Sequence, residues 1–284
     1  MFRLLPTFAL LTLALCSNRI FGAEPADHPR ISWSGDWLTV RGGLLGGQEL
    51  RIHYLEAYCR PHSTNRRWEQ TVIPHRARIL ETDPAGARLV IEDTLADGVV
   101  VRHQIVAGKD EVDFQVVAHN PTTRPSDAHW AQPCIRVGPF AGFSDRSGDA
   151  YLPKCFIFLQ GELVRLPTSH WATTALYTPG QVWCPNGISR DDVNPRPLSD
   201  QVPDNGLIGC FRADDQAIVA TAWEPYQELF QGVAACIHSD FRIGGLAPGQ
   251  TKNIRGKIYI VPADVDAILA RYHHDFPEHV IHSE

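Results

Sequence analysis

The sequence predicts an all-β fold in which two large antiparallel sheets pack face to face, with one short helix at the C-terminus. Three observations carry this. Short segments rich in β-branched and aromatic residues recur between Gly, Pro, Asn and Asp, too densely to leave room for crossover helices. Within them apolar and polar residues alternate, as in strands packed on one side. Convincing helical spacing occurs at one place only, near the end of the chain.

The segments can be taken in order. Residues 37–41, 49–56, 72–80, 87–93, 99–107 and 111–119 read as strands of the first half. In the fifth, Val99, Val101, His103 and Ile105 share a face, and in the sixth Val112, Phe114 and Val116 do. Gly108-Lys109-Asp110 has turn chemistry and joins these two as a hairpin. The second half continues with 151–159, 173–177, 206–211, 217–223, 232–238 and 253–261. After Pro262-Ala263-Asp264, the residues Val265, Ile268, Leu269 and Tyr272 follow helical spacing. Roughly twelve strands would curl or split a single twisted sheet, which predicts two sheets. With no low-complexity linker and no fixed repeat, residues 23–284 are expected to form a single sandwich domain.

Residues 1–22 differ from the rest. Met1-Phe2-Arg3 is a basic start, Leu4 to Leu15 an apolar run, and Ile20-Phe21-Gly22-Ala23 offers small residues for cleavage. This reads as a signal peptide, with a run too short for the roughly 20 residues a membrane span needs. The expected location is secreted or periplasmic, without stable membrane insertion. Six cysteines (59, 134, 155, 184, 210 and 236) remain in the exported chain, where at most one or two bridges are expected and the others can be buried thiols. None has the CxxC or zinc-finger spacing of a structural zinc, so no metal and no cofactor is expected. A net charge of -6 removes nucleic acid as a partner. The absence of GxxxxGK[ST], GxSxG and HExxH lowers nucleotide-dependent, serine-hydrolase and zincin chemistry.

Three polar groups are candidates for a site. The first combines Tyr58, Arg60 and His62 with Arg66-Arg67-Trp68-Glu69 and His75. It offers acid/base groups, forked cations and an aromatic plane, the mixture a sugar-binding face requires, although a surface loop with paired arginines has the same composition. The second is Asn120 followed by His129-Trp130. The third is Trp223-Glu224 and Glu228, leading to Cys236-Ile237-His238-Ser239-Asp240. An irregular stretch from Pro185 to Asn205 is long enough to be a functional loop, but its carboxylates lack the spacing of a calcium loop.

Asn120 with His129-Trp130, and Cys236-Ile237-His238 followed by Leu246-Ala247-Pro248-Gly249, resemble short motifs of the galactose mutarotase-like supersandwich, the fold of aldose 1-epimerases and of domains in many polysaccharide lyases and glycoside hydrolases. The strand pattern is similar from about residue 35 to 262. The resemblance implies a sugar-sized groove and a carbohydrate partner, with His129 and His238 as an acid/base pair lining it. His238 stands where the epimerases carry a Glu, which puts ordinary mutarotation in doubt. Two chemistries stay open, β-elimination on a uronic-acid polymer and a modified epimerisation. Tyr58 and His75 are further candidate bases, and Arg60, His62, Arg67, Trp68, Asn120, Trp130, Glu224 and Glu228 candidate substrate contacts. A non-catalytic module would instead rely on stacking by Trp68, Trp130, Trp171 and Trp223. Protein isolated from its native host should begin just after Gly22 by N-terminal sequencing; retention of Met1 would contradict the signal peptide.

Overall fold

In this computed structural model, residues 28–144, 147–168, 180–232 and 234–279 are described. The expected signal peptide, the expected strand at 173–177 and Trp171 lie outside them. The described residues begin with β1 (Arg30–Ser34), β2 (Trp37–Arg41) and the long β3 (Leu50–Cys59). A single helical turn, α1 (Trp68–Thr71), leads into β4 (Val72–Ile73). A meander follows through β5 (His75–Thr82), β6 (Arg88–Leu95), β7 (Val100–Ala107) and β8 (Glu111–His119). Next come β9 (Trp130–Arg136), β10 (Cys155–Leu159), β11 (Glu162–Arg165) and β12 (Gln181–Trp183). The last part holds β13 (Ile208–Phe211), β14 (Ala217–Glu224), β15 (Tyr226–Gly232), β16 (Cys236–Arg242), β17 (Thr251–Pro262) and the helix α2 (Val265–Asp275).

Among the described residues these strands form two antiparallel sheets, as the sequence predicts. One has eight strands, in the order β1-β2-β3-β9-β16-β15-β12 with β4 paired to β3; the other has nine, in the order β11-β10-β13-β14-β17-β8-β7-β6-β5. The hairpin at Gly108-Lys109-Asp110 is present, with β7 and β8 in register from Val100 opposite His119 to Ala107 opposite Val112. Two expected strands are divided. The stretch 72–80 splits at Pro74, whose missing N–H cannot continue a ladder, so that β4 joins one sheet and β5 the other. The stretch 232–238 straddles a hairpin, with Gly232 facing Cys236 and Ala235 turning the chain at positive φ.

The main core lies between the sheets, where Ile52, Ile135, Ile237 and Phe241 meet Val101, Phe114, Val116, Ile258 and Trp223. Burying each such side chain contributes about 1.5–3 kcal/mol. Trp223 lies flat over its register partner Gly256, where any Cβ would meet the indole ring at 2.2 Å. A second core sits on the outer face of the nine-stranded sheet, where Ile268, Tyr272 and Phe276 cover Phe156, Phe211, Ile218 and Tyr259. Asp264 starts that helix by accepting a hydrogen bond from the Ala267 N–H at 3.0 Å. All six described cysteines are buried and unbridged, even Cys155 and Cys210, which face each other in register. No bridge forms among them, within the expected at most one or two: Cys59, Cys155, Cys184 and Cys210 fill apolar clusters as small hydrophobic groups, whereas Cys134 and Cys236 belong to none of these clusters.

One polar cluster is buried between the sheets. Tyr58 on β3 donates to Asp93 Oδ2 at 2.7 Å and lies 3.0 Å from His103 Nε2, while Tyr54 lies 2.8 Å from His103 Nδ1. Burial works to raise the Asp93 carboxyl, but the contacts of His103 and the Tyr58 hydroxyl outweigh it and hold the group below its ordinary 3.8. A carboxyl lowered by folding contributes stability above its ordinary value, and that contribution is lost as pH falls through the depressed folded value. Asp93→Asn should therefore cost about 3 kcal/mol at pH 7, with the gap to the parent narrowing in acid. Denaturant melts at neutral and acidic pH check this, and a constant gap would refute it.

Candidate functional site

The site is built by strand alternation on the face of the eight-stranded sheet that points away from the core. On β16, Ile237, Ser239 and Phe241 turn inward, which sends Cys236, His238, Asp240 and Arg242 to the other face. Register places β15 residues beside them: Gly232 opposite Cys236, Phe230 opposite His238 and Glu228 opposite Asp240. On the other flank β9 contributes Gln132, Cys134 and Arg136, with Arg136 opposite Cys236. Beyond β9, β3 pairs His53 with Cys134 and Ala57 with Gln132. Those partners are four residues apart on β3 and two apart on β9, so the intervening bulge carries Glu56 to the same face.

A cavity of about 340 Å³ opens on this face, close to the lower end of the roughly 300–1,000 Å³ usual for ligand pockets. Its floor includes Glu56, Gln132, Cys134, Arg136, Cys236 and His238, and its walls include Trp68 and Glu69 of α1 and residues Asn194, Pro195 and Arg196. Glu56 accepts from Gln132 Nε2 at 2.7 Å and has His53 Nδ1 at 3.8 Å. Burial raises its carboxyl, but His53, His238 and Gln132 together bring it down to about 2. His238 has Nε2 3.3 Å from Cys236 Sγ and Nδ1 3.3 Å from Asp240 Oδ1. Burial works against charge on this ring, yet Cys236 and Asp240 lift it to about 10. The Cys134 thiol, donating to Cys236, holds Cys236 well below the ordinary thiol range. Burial raises Asp240 to about 6 and, with the facing Asp240, pushes Glu228 well up.

The stretch 185–205 is the roof beside the cavity. Its Val193 and Leu198 pack on Val182 and Phe230, and the Asn194 N–H donates to both Glu228 oxygens at 3.1 and 2.9 Å. The Asn194 side chain donates to Gln132 at 2.9 Å, and Gln227 Nε2 donates to the Asp192 carbonyl. Asp192 Oδ2 meets Arg242 at 3.3 Å and His129 Nδ1 at 3.2 Å. Two further carboxylates of this stretch act separately: Asp200 faces Arg190, and Asp204 accepts from the Gln160 and Gly161 N–H groups. Among the described residues, no cluster of metal-ligating groups includes a carboxylate of this stretch.

Of the residues expected from sequence, His238 and Trp68 line the cavity, and Trp130 lies buried behind Trp68 with ring centroids 6.5 Å apart. His129 does not join His238. It precedes Trp130, which faces Arg242, four residues along β16 from His238 or about 13 Å at strand rise. Tyr58 points into the core, and burial together with Asp93 pushes its phenol well above the ordinary range, so it is no base for this cavity. His75 packs edge-on against Tyr58 at the start of β5, in the other sheet. Arg60 donates to the Val72 carbonyl at 2.6 Å and braces α1, while His62 and Arg67 are exposed beside that turn and outside the cavity. Asn120 is buried and holds a turn, bonding Arg124 and Leu246 carbonyls. Glu224 is engaged by His279 at 2.6 Å on the nine-stranded sheet, and Glu228 is buried under Asn194, where it positions the roof. Trp223 is likewise core.

Sequence reading missed Glu56, Gln132, Arg136 and Arg196. Their signal was weak, because they are single polar residues scattered over β3, β9 and the stretch 185–205, brought together only by strand register and by the folding of the roof over the sheet.

No family model matches the chain, and no curated protein does. Among solved structures, an aldose 1-epimerase assigned as putative, from Escherichia coli K12, is similar at 11% identity and a TM-score of 0.42, over 82% of this chain and 98% of that one. A galactose mutarotase-like protein from Lactobacillus casei is similar at 8% identity and 0.43, over 82% and 99%. An alpha-mannosidase from Enterococcus faecalis is similar at 8% identity and 0.46, over 90% of this chain and 31% of its own.

Arg242 links the roof to the sheet, and removing it leaves the nearly buried Asp192 carboxylate with His129 alone. Arg242→Ala should cost about 1–3 kcal/mol, discounted for partial exposure, and speed limited proteolysis within residues 185–205. Cleavage there at the parent rate would refute the assignment.

Proposed function

We propose that the chain is an exported carbohydrate-active enzyme that moves protons on a sugar ring held in this cavity. The observation that carries the reading is that Glu56 and His238, a carboxylate and an imidazole from different strands, line one ring-sized cavity with the aromatic Trp68 on its wall. An indole suits the C–H face of a sugar, and the amides of Gln132 and Asn194 are donors and acceptors suited to its hydroxyls. Proton removal and return need two groups that reach the same ring, and Glu56 and His238 supply them. A modified epimerisation fits the small volume. The lyase reading is favoured by a separate observation: Arg136 and Arg196 also line the cavity, where guanidinium groups suit the carboxylate of a uronate and its developing enolate.

Purified mature protein would be assayed against neutral sugars, uronates and their polymers, following anomer interconversion and unsaturated product together. On the accepted substrate, Glu56→Gln and His238→Gln should each lower kcat by about 10²–10⁴. Trp68→Ala should act mainly on KM. Arg136→Ala should depress turnover of uronates while sparing neutral sugars. Full activity in both acid/base variants would remove the catalytic reading, and saturable sugar binding without turnover in the parent would make the protein a binding module.

A further inference from the structure

Among the described residues, Cys134, Cys236 and His238 place their ligand atoms within 4.8 Å of one another, and all three are buried. We propose that Cys134 Sγ, Cys236 Sγ and His238 Nε2 bind one thiophilic divalent ion of the zinc class, with its fourth coordination position open to the cavity. The inference goes beyond the sugar reading and does not depend on it.

Four observations support the site. The donor set is two thiols and one imidazole, the softness that selects zinc over magnesium or calcium. The spacing is right. Zinc lies about 2.3 Å from sulfur and about 2.0 Å from nitrogen, so tetrahedral ligand atoms stand roughly 3.5–3.8 Å apart. His238 Nε2 and Cys236 Sγ are already 3.3 Å apart, and the whole set needs side-chain adjustments of only about 1 Å to close on an ion. The histidine is oriented for it: Nε2 faces the sulfurs, while Nδ1 faces Asp240 Oδ1 at 3.3 Å. A carboxylate behind the far ring nitrogen is the usual partner of a metal-bound histidine, fixing its tautomer. Neither Asp240 oxygen has a hydrogen-bond partner with good geometry, which leaves this buried carboxylate suited to that role. Finally, all three residues line the cavity, so an ion on them has protein on one side and solvent or ligand on the other.

Binding is balanced simply. The ligand set has two protons to release, that of Cys134 and the one shared between Cys236 and His238; both pass to solvent as the sulfurs and Nε2 coordinate, and no electron is transferred. An ion also takes the Nε2 lone pair, so the loaded protein cannot use that nitrogen to move protons. Ion binding and the proposed turnover are then alternative uses of one ring, and ion binding can be measured with no sugar present.

The test uses mature protein, reduced and freed of reductant, titrated with Co²⁺ and then displaced by Zn²⁺. One Co²⁺ per chain should bind, with the thiolate-to-metal charge-transfer band and the visible spectrum of a tetrahedral site. Cys134→Ser, Cys236→Ser and His238→Gln should each weaken binding by at least about 100-fold, and Asp240→Asn by about 10- to 100-fold. Cys210→Ser, a buried thiol of the nine-stranded sheet outside the three-residue set, should retain the band. Substoichiometric binding by the parent, or a charge-transfer band that survives in the Cys134→Ser/Cys236→Ser double variant, overturns the proposal. So does a parent whose two thiols resist Co²⁺ while a thiol reagent in denaturant counts both as free. The parent titration decides the matter even where a variant fails to fold. Stoichiometric ion binding by a parent whose ion-free form turns over no sugar would leave this site standing and the sugar reading fallen, and turnover by a parent that binds no ion would do the reverse.

Discussion

The polar floor of the cavity depends on one constraint, the two-residue alternation of side chains along β9 and β16. Once Ile135, Ile237 and Phe241 are committed to the core, Cys134, Arg136, Cys236, His238 and Asp240 have no choice but the opposite face. Hydrophobic burial thus orients the reactive groups indirectly. The energy that holds His238 in place is supplied on the far side of its own strand, and this is why a ring so fully buried among polar neighbours can keep one position.

Burial on the second face comes from the roof. A sheet face exposed to water would hydrate Asp240 and Glu228 and let both ionise. Covered by residues 185–205, the two face each other across β15 and β16, and desolvation discourages charge on either. The roof gains its own fixed points in return, because the Asn194 N–H reaches both Glu228 oxygens. Sheet and roof therefore stabilise each other: the loop dries the carboxylates, and the carboxylate anchors the loop.

Much of the architecture was legible from sequence where one strand face is polar and the other apolar. β7 and β8 show this best, and α2 was readable from helical spacing together with the Asp264 cap. The site was only partly legible. His238 and Trp68 stood out as chemically marked residues, whereas Tyr58 and His75 stood out equally and belong to the inter-sheet cluster or its edge. Local sequence does not say which face a residue takes when a bulge or a proline resets the strand. Cys134 and Cys236 were unreadable as a pair for another reason. They lie far apart in the chain, and zinc-finger spacing is a property of local loops, while strand register can bring together ligands from distant segments.

The bulge on β3 has a parity consequence. It adds two residues relative to β9, an even number, so the strand regains its original facing after it: Tyr54 and Tyr58 both look toward the sandwich interior, and Ala57 and Cys59 both look away. Within the bulge Glu56 escapes this rule and faces the cavity although its number is even. Shortening the stretch by one residue would invert everything downstream, drawing Cys59 inward and expelling Tyr58, whereas removing two would preserve the facing and lose only the outward carboxylate. Length variation here is thus quantised: the scaffold can accept or discard residues in pairs, and a pair decides whether the cavity floor keeps the Glu56 carboxylate.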